Sequence, residues 1–355
     1  MKRFLLWKNG IISLDLGSFE IKVVQGSRRR DDIKINKAFS FDTPKDAYLN
    51  GYIRNGHALI DAIKDALNFN KIKSGVCCLS IKSTAIITRE IAFPVLGSKE
   101  IDGLLKYQLP EYLPMDYSKY IIQHKIIDKF KDADKEKLNV LVVAIPKDMV
   151  DMHYDLVKGL GLKPSVLDYQ PNSVWKFFKF INTANECIET SQKTIAAIDL
   201  GSDSTNITII NKGVIQTTRT IDMGGITLDN DAKSLMALTN DELPPLLSDI
   251  KDVSLVDDGF SDYNRYVYVI KAIIESIITK IDRIFKFYLS KDINNEIEQL
   301  ILYGGLSNIK GMDKLFFNYF GIPAIVLNSV DRISINSDLN KYINCIGTLM
   351  RDDEV

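Results

Sequence analysis

The sequence predicts a duplicated α/β protein: two related lobes, with a small α+β subdomain inserted in the first. Three observations carry this prediction. The tetrapeptide Asp-Leu-Gly-Ser occurs twice, beginning at Asp15 and at Asp199, about half a chain length apart. Each copy follows a β-branched apolar run, Ile11 to Leu14 and Ile195 to Ile198, and precedes a second run, Ile21 to Gln25 and Asn206 to Ile210. Both halves then change from strand patterning to helical periodicity, so an order of three strands followed by αβ units is written twice.

The elements follow in order. Each tetrapeptide is a strand, a Gly turn and a strand; "IKINKAFSF" supplies a third strand in the first half. In the second half Asn211, Lys212 and Gly213 form a turn into the third strand, "VIQTTRTI". "HALIDAIKDALNF" places Leu59, Ile60, Ile63, Ala66 and Leu67 on one helical face. Between "GVCCLSIKSTAIITREIAF" and "GLKPSVLDYQPNSVWKFF" lies an additional unit: a helix near 98–109, strands at 120–127 and 140–145, and a helix at 147–160. Its charged stretch "DKFKDADKEKLN" reads as a solvated, mobile loop.

In the second half Ile270, Ile273, Ile274, Ile277, Ile278, Ile281, Ile284, Phe285 and Tyr288 recur at helical spacing, which predicts one long core-facing helix from about Ser261 to Ser290. "LILYGGLSNIKGMDKLFFNYFGIPAIVL" then reads as strand, Gly turn, helix and strand. The expected boundaries are a first lobe at 1–85 completed by 163–192, an inserted subdomain at 86–162, and a second lobe at 193–340. The segment 341–355 is expected to be a helix returning to the first lobe.

Composition excludes several classes. With 355 residues, 46% hydrophobic and 26% charged, the chain is globular and long enough for two cores. Its 45 basic and 46 acidic side chains leave a net charge of −1, which offers no global attraction to nucleic acid or an anionic bilayer. Cys77, Cys78, Cys187 and Cys345 lack C-x-x-C spacing and neighbouring histidines, and read as reduced thiols of a cytosol. No apolar run approaches the roughly 18 residues of a membrane span, and "MKRFLLWKNG" is too short for a signal peptide, so a soluble cytoplasmic chain is expected. Phe4, Leu5, Leu6 and Trp7 are read as packing beside the first strand, with a membrane or partner contact as the alternative. His57, His124 and His153 form no H-E-x-x-H, and neither a P-loop nor a G-x-S-x-G elbow is present.

A turn that grips phosphate needs backbone N–H groups facing one concavity and a residue without Cβ where the chain comes closest. Gly17 and Gly201 meet that need, and the hydroxyls of Ser18, Ser202, Ser204 and Thr205 add donors. Asp15 and Asp199 supply one carboxylate on each side, which suits magnesium carried by a triphosphate. The alternative is a mere tight turn, since Asp, Gly and Ser are common turn formers; two copies in matching contexts favour phosphate. Gly224 and Gly225 join a strand to a helix whose amides can meet phosphate or ribose, and Gly304 and Gly305 leave room for a flat adenine. Each pair can equally be a plain βα turn. Lys22 either reaches a phosphate or points to solvent. Lys251, on a helix after Pro244-Pro245, either contacts ribose or is solvated.

"DLGSFEIKVV", "DLGSDSTNITII", "IDMGGITLD" and "YGGLSNIKG" resemble, in order and spacing, the phosphate 1, phosphate 2, following Gly-Gly and adenosine motifs of the actin-like ATPase superfamily. "REIAFP", "LLKYQLPEYLPMDYSKYIIQHKII", "VLVVAIPKDMVDMHYDLVKGLGLKPSVLDYQPNSVWKFF" and "IDRIFKFYLSKD" are similar to the PilM family of type IV pilus assembly, a relative of the division protein FtsA. The resemblance implies an actin-like (ribonuclease H-like) two-lobed fold with an FtsA-type inserted subdomain and ATP with Mg2+ in the interdomain cleft. It adds Phe19 and Leu306 to the nucleotide contacts and gives the metal to Asp15 and Asp199. It also implies a cytoplasmic scaffold that binds the N-terminal peptide of a PilN-like inner-membrane protein in a groove between the inserted subdomain and the first lobe. Such a scaffold is recruited to the inner face of the membrane by that partner and links it to pilus motor ATPases.

The chain departs from the family at Ser248, where a Glu often stands three residues before the ribose lysine, here Lys251. Gln170 lies near the place of a water-orienting group, but "DYQPNS" is a loose match, so no catalytic residue is assigned and at most slow ATPase activity is expected. Two other functions compete. A small-molecule kinase of the superfamily needs an acceptor region with a general-base Asp, and no such residue stands out. An FtsA-like polymerising protein normally ends in an amphipathic membrane helix, whereas this sequence ends "YINCIGTLMRDDEV". A chaperone ATPase would carry a substrate-binding domain after the second lobe. A pilus and a related secretion apparatus are not distinguished.

Overall fold

The computed structural model describes residues 10–29, 32–97, 100–105, 116–132, 135–239, 242–255 and 262–350. The expected packing of Phe4 to Trp7, and the end of the helix expected to 109, lie outside the described residues.

The chain runs β1 (Ile11–Leu16), β2 (Glu20–Arg29), β3 (Asp32–Asp42), β4 (Tyr48–Leu49), β5 (Tyr52–Ile53), α1 (Gly56–Phe69), β6 (Val76–Ile81) and β7 (Ile87–Pro94). A helical segment at residues 100–105, α2, follows. Next come β8 (Tyr120–Asp132), β9 (Lys135–Pro146), α3 (Lys147–Gly159), β10 (Lys163–Tyr169), α4 (Gln170–Phe180), β11 (Thr183–Ala184) and β12 (Ile188–Glu189). The remainder is β13 (Thr194–Leu200), β14 (Thr205–Asn211), β15 (Val214–Ile221), α5 (Gly225–Met236), α6 (Leu243–Asp249), α7 (Asp262–Lys291), β16 (Gln299–Tyr303), α8 (Met312–Phe320), β17 (Ala324–Val326), β18 (Ile333–Ser334) and α9 (Ile343–Leu349). Among the described residues no helix is long and apolar enough to cross a membrane.

The chain divides into two compact units, one of Met1–Thr43, Cys78–Ser80 and Asp168–Val355, the other of Pro44–Cys77 and Ile81–Leu167. The first unit contains both tetrapeptides. Its first sheet is ordered β6-β1-β2-β3-β18, with Cys78–Ser80 of β6 inside the unit, and its second is ordered β15-β14-β13-β16-β17. The central arrangement is therefore repeated: an antiparallel meander with its first strand, β1 or β13, innermost. Every residue of β13 is buried, as are Ile12 to Leu16 of β1, so these strands read as continuous apolar runs rather than alternating ones. Lys212 and Gly213, both at positive φ (46° and 81°), form the tight turn from β14 to β15 whose twist suits a hairpin.

The predicted long helix is α7. Ile270, Ile273, Ile274, Ile277, Ile278, Ile281, Phe285 and Tyr288 are buried on it and pack with Leu228 of α5 and Leu300 and Leu302 of β16 in one core. The short helix α9 is buried from Ile343 to Thr348 and packs on α4, β1 and β2. A Cβ built on Gly347 would lie 2.0 Å from the Ser173 carbonyl oxygen of α4. That neighbour is backbone and cannot swing aside, so Gly347→Ala is expected to separate the two helices and cost more than about 3 kcal/mol, in the range of core overpacking and beyond. Urea denaturation followed by circular dichroism checks it.

In the second unit, β7-β9-β8 form a three-stranded antiparallel sheet. Ile91, Phe93, Leu138, Val140 and Val142 of its inner face pack with Ile101 and Leu105 of α2. The charged stretch expected to be a loop is mostly strand, because β8 continues to Asp132 and β9 begins at Lys135. Its charges decorate the ends of a long hairpin whose β8 is an edge strand, where lysines and acids oppose unwanted pairing.

Candidate functional site

The two tetrapeptide turns are built alike. The Gly17 amide donates to the Glu20 carbonyl at 3.1 Å, and the Gly201 amide donates to the Ser204 carbonyl at 3.2 Å. Thr43 pins the first turn, its hydroxyl donating to the Gly17 carbonyl at 2.6 Å. Amides at the start of α5 pin the second: Gly225 N–H donates to the Gly201 carbonyl (3.0 Å) and Ile226 N–H to the Ser202 carbonyl (2.9 Å). The turns meet at their tips, where the Ser18 hydroxyl donates to Asp203 Oδ1. The backbone N–H groups of Ser18, Phe19, Ser202 and Asp203 have no acceptor among the described residues, so each tip presents two free donors of the kind that binds oxyanions.

Behind the tips stand two buried carboxylates. Asp15 is 8% exposed near the end of β1, and Asp199 is 5% exposed near the end of β13. The Asn344 side-chain amide of α9 donates to both, 3.2 Å to Asp15 Oδ2 and 3.5 Å to Asp199 Oδ2. Gln170, the first residue of α4, donates its amide to Asp199 Oδ2 at 2.6 Å. Lys22 lies opposite Asp15 on β2, its Nζ 3.9 Å from Asp15 Oδ2. Burial, the largest influence on Lys22, pulls its pKa down; the charges of Asp15 and Asp199, with Glu20, outweigh it and hold the ammonium above the ordinary lysine value. Tyr303 and Cys345 are pushed well up, first by burial and then by the carboxylates, and stay neutral beside them.

This donor set fits a hard divalent cation delivered with phosphates. Among the described residues no cluster of three or more His, Cys, Asp or Glu side chains forms a cage that would hold a metal unaided. Magnesium is commonly held by one or two carboxylates plus substrate phosphates, and Asp15 and Asp199 are a carboxylate pair that would fit that role. Two further buried oxygens, Gln170 Oε1 and Asn344 Oδ1, lack a hydrogen-bond donor here.

The remaining sequence-predicted residues divide. Ser18 and Ser202 are at the tips, and Phe19 is there too, 66% exposed. Thr205, expected to offer its hydroxyl to phosphate, instead donates it to the Met223 carbonyl at 2.9 Å. The Ser204 hydroxyl is buried and accepts from Asn206 Nδ2 at 3.4 Å. The start of α5 was expected to offer amides to a ligand; the Gly225 amide braces the second turn instead, and a Cβ on Gly224 would lie 2.5 Å from both the Gly201 and Ser202 carbonyl oxygens. Gly304 adopts φ +89° and donates its amide to Asn340 Oδ1 at 2.6 Å, while Gly305 faces open space. Leu306 packs into the core of the second sheet. Lys251, expected on a helix, lies past the end of α6 because Pro244 and Pro245 start that helix rather than break it; it is exposed, and its N–H donates to the Tyr263 hydroxyl at 3.0 Å.

Sequence reasoning missed Asn340, which also donates to the Ser307 hydroxyl at 2.9 Å, and Asn344. The available signal was a polar amide inside the otherwise apolar run "YINCIG".

Solved structures share this fold. A PilM–PilN type IV pilus biogenesis complex aligns with 96% of this chain and 97% of its own at 18% identity and a TM-score of 0.78. The ethanolamine utilization protein EutJ from Carboxydothermus hydrogenoformans aligns with 95% of this chain and 88% of its own at 13% identity and a TM-score of 0.57. The ADP-bound MreB5 of Spiroplasma citri covers 96% of this chain and 95% of its own at 13% identity and a TM-score of 0.54. The duplicated sheets and twin turns are thus those of the actin-like fold. The sequence profile of type IV pilus assembly protein PilM matches residues 13–344, and the chain belongs to the PilM family of type IV pilus assembly proteins.

Proposed function

We propose that the chain is an ATP-binding cytoplasmic scaffold of a type IV pilus, or related secretion, inner-membrane complex. In this reading it binds the N-terminal cytoplasmic peptide of a PilN-like membrane protein in a nucleotide-sensitive way. The observation that carries it is the pair of matching turns, each with two free amides at its tip and a buried carboxylate behind it. Ser18, Phe19, Ser202 and Asp203 amides would receive the phosphates, Lys22 would add positive charge, and Asp15 and Asp199 would hold Mg2+. Magnesium bound there would neutralise phosphate charge. Gly304, Gly305 and Leu306 would border the adenine, with Gly224 and Gly225 shaping the second turn. The Ser18–Asp203 contact must open for phosphate to enter between the tips, which gives nucleotide a direct hold on the spacing of the two turns. Gln170 is held by Asp199 through its amide nitrogen, and a water-orienting role would use its free Oε1; hydrolysis is slow at most.

The likeness to a PilM solved with PilN supports the choice of partner. The subdomain at 86–162 would present the peptide, and the partner would bring the scaffold to the inner face of the membrane, beside the motor ATPases. Isothermal titration with Mg-ATP, then of the ATP-loaded protein with a peptide from the N-terminus of a neighbouring PilN-like gene product, is expected to show both binding events, the second weaker without nucleotide. Nucleotide binding without peptide binding would reopen the kinase and division-protein readings. Loss of peptide binding alone on substitution in the exposed residues of β7 or β8 would locate the peptide on the inserted subdomain.

A further inference from the structure

We infer that Asn344 is a positioning residue for the carboxylate pair: its neutral amide holds Asp15 and Asp199 together and thereby sets the affinity of the site for a divalent cation. The inference rests on the proposed magnesium-nucleotide function.

The geometry is that of one donor group shared by two acids from different halves of the duplication. Asn344 Nδ2 carries two hydrogens and lies 3.2 Å from Asp15 Oδ2 and 3.5 Å from Asp199 Oδ2. Buried like charges repel, and a hydrogen-bond donor shared between them offsets part of that repulsion. Gln170 supports Asp199. For Asp15 the side-chain hydrogen-bond donor among the described residues is Asn344, with Lys22 farther away at 3.9 Å. A second lysine at position 344 would hold the acids equally well but cancel the charge that attracts a cation. A neutral amide orders them and leaves that charge in place.

The amide is itself fixed from behind. Helix α9 is wedged against α4 at Gly347, and Thr348 Oγ1 lies 3.0 Å from the Ser173 hydroxyl. The Cys345 thiol contacts the Lys22 carbonyl at 3.5 Å, which ties the next residue of the helix to β2. Asn344 is 6% exposed and its Oδ1 has no donor partner. A buried amide that leaves one of its own groups unsatisfied is costly for stability alone, and this favours a role in the site over one in the core.

The test compares ATP affinity in excess Mg2+ with ATP affinity in EDTA, by calorimetry, for the wild type, Asn344→Leu and Asn344→Ala. Leucine keeps nearly the volume and removes the donor; alanine removes it without risk of a clash. The expected result is that the gain in affinity conferred by Mg2+ shrinks about tenfold in either folded variant, while affinity in EDTA is unchanged. An undiminished magnesium gain, or an equal loss with and without Mg2+, overturns the inference, the latter marking Asn344 as a packing residue. A wild type that binds no nucleotide under either condition overturns the proposed function instead.

Discussion

Replacing Asp199 by asparagine is expected to weaken Mg-ATP binding about ten- to a hundredfold while leaving the fold in place. The magnitude follows from the loss of one charged contact to a cation in a buried site. Interactions with charged groups contribute about 1.5–3 kcal/mol, and each 1.4 kcal/mol is about a factor of ten in affinity. The choice of asparagine follows from the surroundings. Asp199 Oδ2 accepts from Gln170 at 2.6 Å, and an asparagine carbonyl of the same volume can still accept that hydrogen bond, so neither donor nor cavity is orphaned. Removing one of two neighbouring like charges also relieves repulsion. Asp15→Asn is expected to act in the same direction, and the double variant to lose less than the sum, because the two groups share Asn344 and would share the ion. Calorimetric titration with Mg-ATP, with thermal melting as the control for folding, decides it; unchanged affinity in both single variants removes the site.

What could be read from the sequence was local. The twin turns announce themselves because Gly, Asp and Ser at a strand end have few other conformational uses, and α7 does so because its isoleucines repeat over about four turns at helical spacing. What could not be read was which donors those turns would leave free. Thr205 looks like a phosphate ligand by position, yet β14 turns its hydroxyl toward the Met223 carbonyl. The α5 amides look like an anion site, yet the second turn occupies those of Gly225 and Ile226. The charged stretch of β8 and β9 reads as a loop because dense charge suits irregular backbone, yet an edge strand carries charge for a different reason. Asn344 shows in the sequence only as a lone amide in an apolar run: it meets Asp15 across 329 positions of chain, and nothing local marks what it faces.

Lys176 is expected to show the largest effect on stability. Its Nζ lies 2.6 Å from Asp168 Oδ2, with the two side chains 3% and 7% exposed, and it donates to the Met350 carbonyl at the end of α9, also at 2.6 Å. Asp168 accepts in turn from Ser173 Oγ at 2.7 Å and from Asn172 Nδ2 at 2.9 Å. Lys176→Ala leaves a buried carboxylate without its counter-charge and an orphaned helix-end carbonyl, and breaking such a pair costs about 3–5 kcal/mol. Replacing both ions by apolar groups of similar size, Lys176→Met with Asp168→Leu, removes the charges together and should recover much of that loss, although the Met350 carbonyl and the two donors to Asp168 remain to be satisfied. The consequence should reach the nucleotide site as well. Lys176 joins α4, which begins with Gln170, to α9, which carries Asn344, so the network it holds together orients both amides that reach the carboxylates. Urea denaturation and Mg-ATP titration of the same proteins separate the two effects. If the double variant regains stability but not affinity, the ion pair sets the relative placement of the two helices; if it regains both, the pair serves only to keep α9 packed.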